Sequence, residues 1–184
     1  MPKLVPVMAL VLLSPALAPQ DNPLSAHART MYTGLKNILI RSAERMPEEH
    51  YAFKPVDAVR SYGQIIGHIA DWQYHYCSAV LGDRNPAPRI EQTRTSKADL
   101  VAALKDALAY CDRAFSAMTD AAASAIADFH GMKMPRLGIL TIDLVHSTEH
   151  YGNLVTYMRL KDIVPPTSEP GFEPVPKKWW NCRR

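Results

Sequence analysis

Pro135-Arg-Leu-Gly-Ile-Leu-Thr-Ile-Asp143-Leu-Val-His146-Ser-Thr-Glu-His150-Tyr-Gly-Asn153-Leu-Val-Thr-Tyr157-Met-Arg-Leu-Lys161 reads as one long helix, and that reading decides the fold. Pro135 suits a first helical turn, where its missing N–H costs nothing. At 100° per residue, Ile139, Asp143, His146, His150, Asn153 and Tyr157 form one stripe, flanked by apolar Ile142, Val145 and Leu154. A polar stripe on a buried face must be paired internally, because unsatisfied groups there are expensive. His146 and His150 lie four residues apart, so their imidazoles leave one face roughly 6 Å apart. That spacing chelates a metal if a third ligand arrives from elsewhere. It equally describes two histidines that are solvated or hydrogen-bonded to each other.

The third ligand is expected from Ser61-Tyr-Gly-Gln-Ile-Ile-Gly-His68-Ile-Ala-Asp-Trp. Ser61 and Gln64 have capping-box spacing and start a helix that fades near Leu81-Gly82. With His68 at zero degrees, Gln64, Ile65, Trp72, His75 and Ala79 share its mostly apolar face, so His68 looks inward. His75, two turns on, competes for the same role. Three histidines on two helices leave a coordination position open, which suits reactivity more than scaffolding. The pattern is not the H-E-x-x-H of zinc proteases, since residue 147 is Ser and Glu149 sits about 100° from His150. Asp143 is placed to hold an imidazole N–H outside the ligands, or to make a structural hydrogen bond. Asn153 offers a second polar group beside them.

Outward from these segments, a first helix runs from about Leu24 to Arg45 and stops at Met46-Pro47. Another runs from Ser96 to about Met118, with Leu100, Leu104, Ala107, Leu108, Cys111 and Phe115 at helical spacing. Strand signals are almost absent, and Ala121 to Ala127 suggests a short extra helix. The expected class is all-α, a four-helix bundle with long connections between helices. The 184 residues allow one domain, 47% hydrophobic and 21% charged. A net charge of +3 with scattered basic residues excludes a nucleic-acid-binding face. Residues 1–20 read as a signal peptide: Lys3, an apolar run from Leu4 to Leu13 too short to span a bilayer, then Ala16-Leu-Ala18. The bundle is expected over residues 21–163 and a proline-rich tail over 164–184, so the mature chain is expected outside the cytoplasm with no membrane span. Cys77, Cys111 and Cys182 show no C-x-x-C spacing. Cys77 is out of phase with His68 and reads as a buried inert thiol.

Met46-Pro-Glu-Glu-His-Tyr-Ala-Phe-Lys-Pro55, the segment from Ser61 to Gln73, and above all the block from His146 to Pro166 resemble the DinB-like (DinB/YfiT-like) superfamily of metal-binding four-helix bundles. The resemblance spans about Leu24 to Pro166. It implies two helices running parallel in succession. It also implies one divalent ion, zinc first, with nickel or iron as alternatives, held by His68, His146 and His150. Characterised relatives include thiol-dependent transferases and isomerases that use mycothiol or bacillithiol. The leader and the tail from Trp179 to Arg184 depart from that cytoplasmic pattern. Two functions follow as expectations: a metal-dependent enzyme acting on a small molecule or thiol, with Asp143 and Asn153 orienting ligands or substrate, or a non-catalytic metal-binding, stress-related bundle. A homodimer is compatible with either.

Overall fold

A computed structural model of the chain describes residues 21–172; the expected leader and the end of the tail lie outside them. Four long helices build the core: α1 (Pro23–Arg45), α2 (Tyr62–Leu81), α4 (Lys97–Ala117) and α6 (Arg136–Arg159), with a short α3 (Ile90–Thr93) and α5 (Asp120–Ala123) in the connections. Local chemistry explains their limits. The Ser61 side chain accepts from the Gln64 N–H (3.3 Å) while the Gln64 side chain accepts from the Ser61 N–H (2.8 Å), which completes the capping box of α2. Gly82 then ends α2 in the left-handed region, at φ 75°. Ser96 caps α4 through the Asp99 N–H, and α6 starts directly after Pro135.

Each long helix packs on two others. α2 lies between α4 and α6, and so does α1, which puts α1 and α2 across the core from each other. Gly63 and Gly67 abut Leu100 near the starts of α2 and α4, and Cys77 meets Cys111 further along, so these two helices run parallel. α6 runs against α2: its last turns return to the start of α2, where the Tyr157 hydroxyl donates to the Arg60 carbonyl at 2.7 Å. Parallel α2 and α4 cannot be joined by a tight turn, which explains the long segment between them. Leu39, Ile66, Ile69, Leu104, Leu108, Ile139, Leu140 and Leu154 fill the interior.

Two expectations are corrected. The alanine-rich helix stops at Ala123, and Ile126–Phe129 (β1) pairs with Met132–Pro135 (β2) as an antiparallel hairpin. Its turn is His130-Gly131, both at positive φ (51° and 83°), the pattern that matches strand twist in two-residue hairpins. Cys77 is not a free thiol: it forms a disulfide with Cys111, with Cα atoms 5.3 Å apart. Helical phase puts both cysteines inward, but their pairing, across a sequence separation of 34, depends on the parallel register of two helices. The start of the tail packs over the bundle and makes a single 3-10 turn at Pro166–Ser168. Pro165 and Pro166 are buried, the Tyr151 hydroxyl meets Thr167 at 2.8 Å, and Glu169 pairs with Arg41 and Arg45. Among the described residues, no helix is long and apolar enough to cross a membrane.

Candidate metal centre

α2 and α6 bring His68, His146 and His150 to one point, with a ligand atom from each within 4.8 Å of the others. Nε2 of His146 lies 3.2 Å from Nε2 of His68 and 3.1 Å from Nε2 of His150. A tetrahedral zinc with Zn–N bonds of 2.0–2.1 Å needs N···N edges of about 3.3 Å. The two edges that meet at His146 are already near that spacing, and the third is within 4.8 Å. His75 is not part of it; its ring lies 5.3 Å from those of Trp72 and His130, off to one side.

Hydrogen bonding alone accounts poorly for three converging Nε2 atoms. A neutral imidazole has one N–H, and His68 directs its Nδ1 to the Glu91 carboxylate at 2.9 Å. Its Nε2 is therefore a lone pair. The His146 Nε2 can either donate or accept, so it cannot serve both neighbours well. Protonation does not relieve the conflict. Burial, then the neighbouring His150 and His68, push His146 down to about 4, and burial followed by His68 also lowers His150. Three imidazole nitrogens aimed at one point are a donor set for a first-row divalent ion. The buried Nδ1 of His146, without a hydrogen-bond partner among the described residues, agrees with an orientation set by Nε2.

Groups around the trio come from elements that sequence reading did not connect to it. Glu91 opens α3 and takes the Arg60 Nε on Oε1 at 2.7 Å while Oε2 faces His68. Burial acts to raise the Glu91 carboxyl, but hydrogen bonds from Arg60 and His68 outweigh it and hold it low. Asp143 is buried but does not reach an imidazole. Its Oδ1 accepts from Gln73 Nε2 at 2.5 Å and Ser147 Oγ at 3.2 Å, and burial raises it to about 7 against those two bonds. Gln73, five residues after His68, supplies the amide that captures it. Asn153 does reach the site, with Nδ2 3.4 Å from the His150 Nδ1. Glu149 is exposed, as its helical phase requires.

One side of the trio is closed and the other open. Trp72 and Tyr76 stand 5.4 Å and 5.7 Å from the His146 ring, and Phe129 of the hairpin stacks on Tyr76 at 5.1 Å. On the other side an open cavity of about 720 Å³ is lined by Lys54, Val56, Arg60, Glu91, His150 and Asn153, among others. Of the three histidines His150 lines this pocket, which is large enough for a small molecule and so adjoins the trio at one edge.

Comparison with known proteins agrees with this architecture. Over 144 residues the chain is 23% identical to the uncharacterized protein YjoA of Bacillus subtilis, covering 76% of this chain and 90% of that one. The crystal structure of a DinB-like protein from Bacillus cereus superposes with a TM-score of 0.69 at 17% identity, covering 80% of this chain and 97% of its own. That of a DinB-like protein, YjoA, from Bacillus subtilis gives 0.61 at 20% identity, with 82% and 95% covered. At such identities the two structures speak for the fold alone. The DinB superfamily model matches residues 33–154, which include all three histidines, the whole of α2 and most of α6, and the chain therefore belongs to the DinB superfamily.

Proposed function

We propose that His68, His146 and His150 hold one divalent ion, zinc before nickel or iron, and that the chain is a metal-dependent enzyme acting on a small electrophile with a thiol or water as nucleophile. The observation that carries this reading is the convergence of three imidazoles beside an open cavity, with the His146 Nε2 lying 3.2 Å and 3.1 Å from those of His68 and His150. An ion held by three neutral imidazoles keeps its full charge, and would lower the pKa of a thiol or water in its open position. The protein's own residues do the rest. Glu91 keeps the proton of His68 on Nδ1, leaving Nε2 free to ligate. Asn153 can do the same for His150 by accepting through Oδ1, since its amide can be turned. Trp72, Tyr76 and Phe129 exclude water behind the rings, so that access is from the Arg60 side. The Cys77–Cys111 disulfide supports a place of work in an oxidising compartment, consistent with export of the chain.

Cobalt substitution tests the reading. The Co(II) protein should show tetrahedral visible bands, and a small thiol should add a sulfur-to-metal charge-transfer band. Unchanged spectra at saturating thiol would remove the thiol half of the proposal and leave water. A fourth protein ligand on the metal would replace the enzyme reading by a non-catalytic one.

A further inference from the structure

α3 has four residues, too few to hold a helix by its own hydrogen bonds, yet it carries the carboxylate that faces His68. Two residues of α2, one on each side of His68, determine where α3 sits. Asp71 is buried, and its two carboxylate oxygens accept the backbone N–H groups of Ile90 (2.7 Å) and Glu91 (2.9 Å). Gly67 provides the space: a Cβ there would lie 2.8 Å from the Glu91 Cα and 3.1 Å from its N. Both obstructing atoms are backbone, so they can yield only if α3 moves as a whole. The chain enters α3 through Arg89 in the left-handed region at φ 68°, which aims the turn back at α2.

We infer that Gly67 and Asp71 are positioning residues of the metal centre: together they dock α3 on α2 so that the Glu91 carboxylate holds the proton of His68 on Nδ1. The inference rests on the metal-binding reading above. Without Asp71, two N–H groups at the start of α3 lose their acceptor beside the buried Ile90, and the turn must move toward water. Without the gap at Gly67 the backbones cannot approach. In either case Glu91 leaves His68, whose proton is then free to move to Nε2, the atom that must be bare to ligate.

Gly67→Ala and Asp71→Asn test this, with Thr119→Ala as a control that removes the α5 cap at the opposite end of α4. Long-range proton–nitrogen spectra of the metal-free imidazoles report the His68 tautomer, and competition with a chromophoric chelator reports zinc affinity. Both variants should move the His68 proton toward Nε2 and weaken zinc binding about 10- to 100-fold. Thr119→Ala should lower the melting temperature and change neither readout. In a Glu91→Ala background, Gly67→Ala should add no further loss of zinc, because its effect runs through Glu91. Full additivity in that background, or an unchanged tautomer with affinity within about two-fold in Asp71→Asn, would overturn the inference. If Gly67→Ala does not fold, Asp71→Asn decides alone. Should the wild type bind no zinc, the metal reading fails, while the tautomer shift still decides whether Gly67 and Asp71 position Glu91.

Discussion

His146 and Asp143 are one turn apart on α6, and burial pushes them toward neutrality from opposite sides. His146 falls to about 4, and Asp143 rises to about 7. Their effects on metal-free stability therefore oppose. Unfolded His146 takes a proton near 6.5 and folded His146 only near 4, so its contribution is present above pH 6.5 and is lost as pH falls from there to about 4. Asp143 behaves inversely: the folded state holds a proton that the unfolded state gives up near 3.8, so its contribution fades as pH rises from there through about 7. Asp143→Asn keeps an acceptor for Gln73 and Ser147 and removes the buried charge. It should stabilise the metal-free protein at pH 8, by at most ~1.4 kcal/mol for each tenfold difference in proton affinity between the folded and unfolded carboxyl, and stabilise it clearly less at pH 5, where only roughly a third of the interval from 3.8 to about 7 has been crossed. Urea unfolding at the two pH values checks it, and an equal change at both would refute it. The low basicity of His146 and His150 also means that protons compete weakly for the ligand nitrogens. Zinc occupancy should persist below pH 6.5 and fail toward about 4, and His150→Ala should abolish stoichiometric zinc at every pH. Metal analysis after gel filtration reads both, and full zinc retention in His150→Ala would remove His150 from the ligand set.

At the scale of the element, α2 has the firmest start, because Ser61 and Gln64 satisfy two N–H groups reciprocally. Ser61→Ala should cost about 1 kcal/mol, a fall of roughly 3 °C in melting temperature for a chain of this size, with zinc stoichiometry retained. A calorimetric scan with no shift would show that Gly63 and Tyr62, packed on Tyr51, already fix the turn. The same local chemistry explains which elements were legible in advance. The four long helices carry caps, prolines and a 3.6-residue period, and their bounds fall within a residue or two of expectation. The three histidines sit on such helices, so helical phase and the family resemblance were enough to group them. β1 and β2 have four residues each and only Phe129 buried, too little alternation to stand out. Glu91 was hidden for a different reason. It lies in a connection full of turn residues, and only the grip of Asp71 and the gap at Gly67 bring it to His68. For Asp143, phase gives a direction but leaves an imidazole contact and a structural hydrogen bond both open, because its partner Gln73 is on another helix.

Across the whole molecule, the bundle joins its helices in two different ways. α2 and α6 meet through the histidines and through Gln73 with Asp143 and Ser147, while α2 and α4 are tied covalently by Cys77 and Cys111. The covalent tie closes a loop across a sequence separation of 34, and by chain entropy such a crosslink stabilises by roughly 3–4 kcal/mol. It is buried on both sides, so a reductant reaches it only when the bundle opens, and folded protein should resist mild dithiol treatment. The disulfide constrains α4, which supplies no histidine, and on α6 its sulfurs approach the Asp143 carboxylate, within 4.8 Å, and not the ligand rings. Cys77→Ala with Cys111→Ala should therefore lower the free energy of unfolding by about 3 kcal/mol or more, since the vacated sulfur volume adds a cavity cost. Zinc stoichiometry in the folded variant should stay at one per chain. Denaturant titration and metal analysis of the same sample separate the two effects. Loss of zinc from a variant that remains helical would mean that α4 sets the spacing of the histidines through α2, and the covalent tie would then belong to the site as well as to the fold.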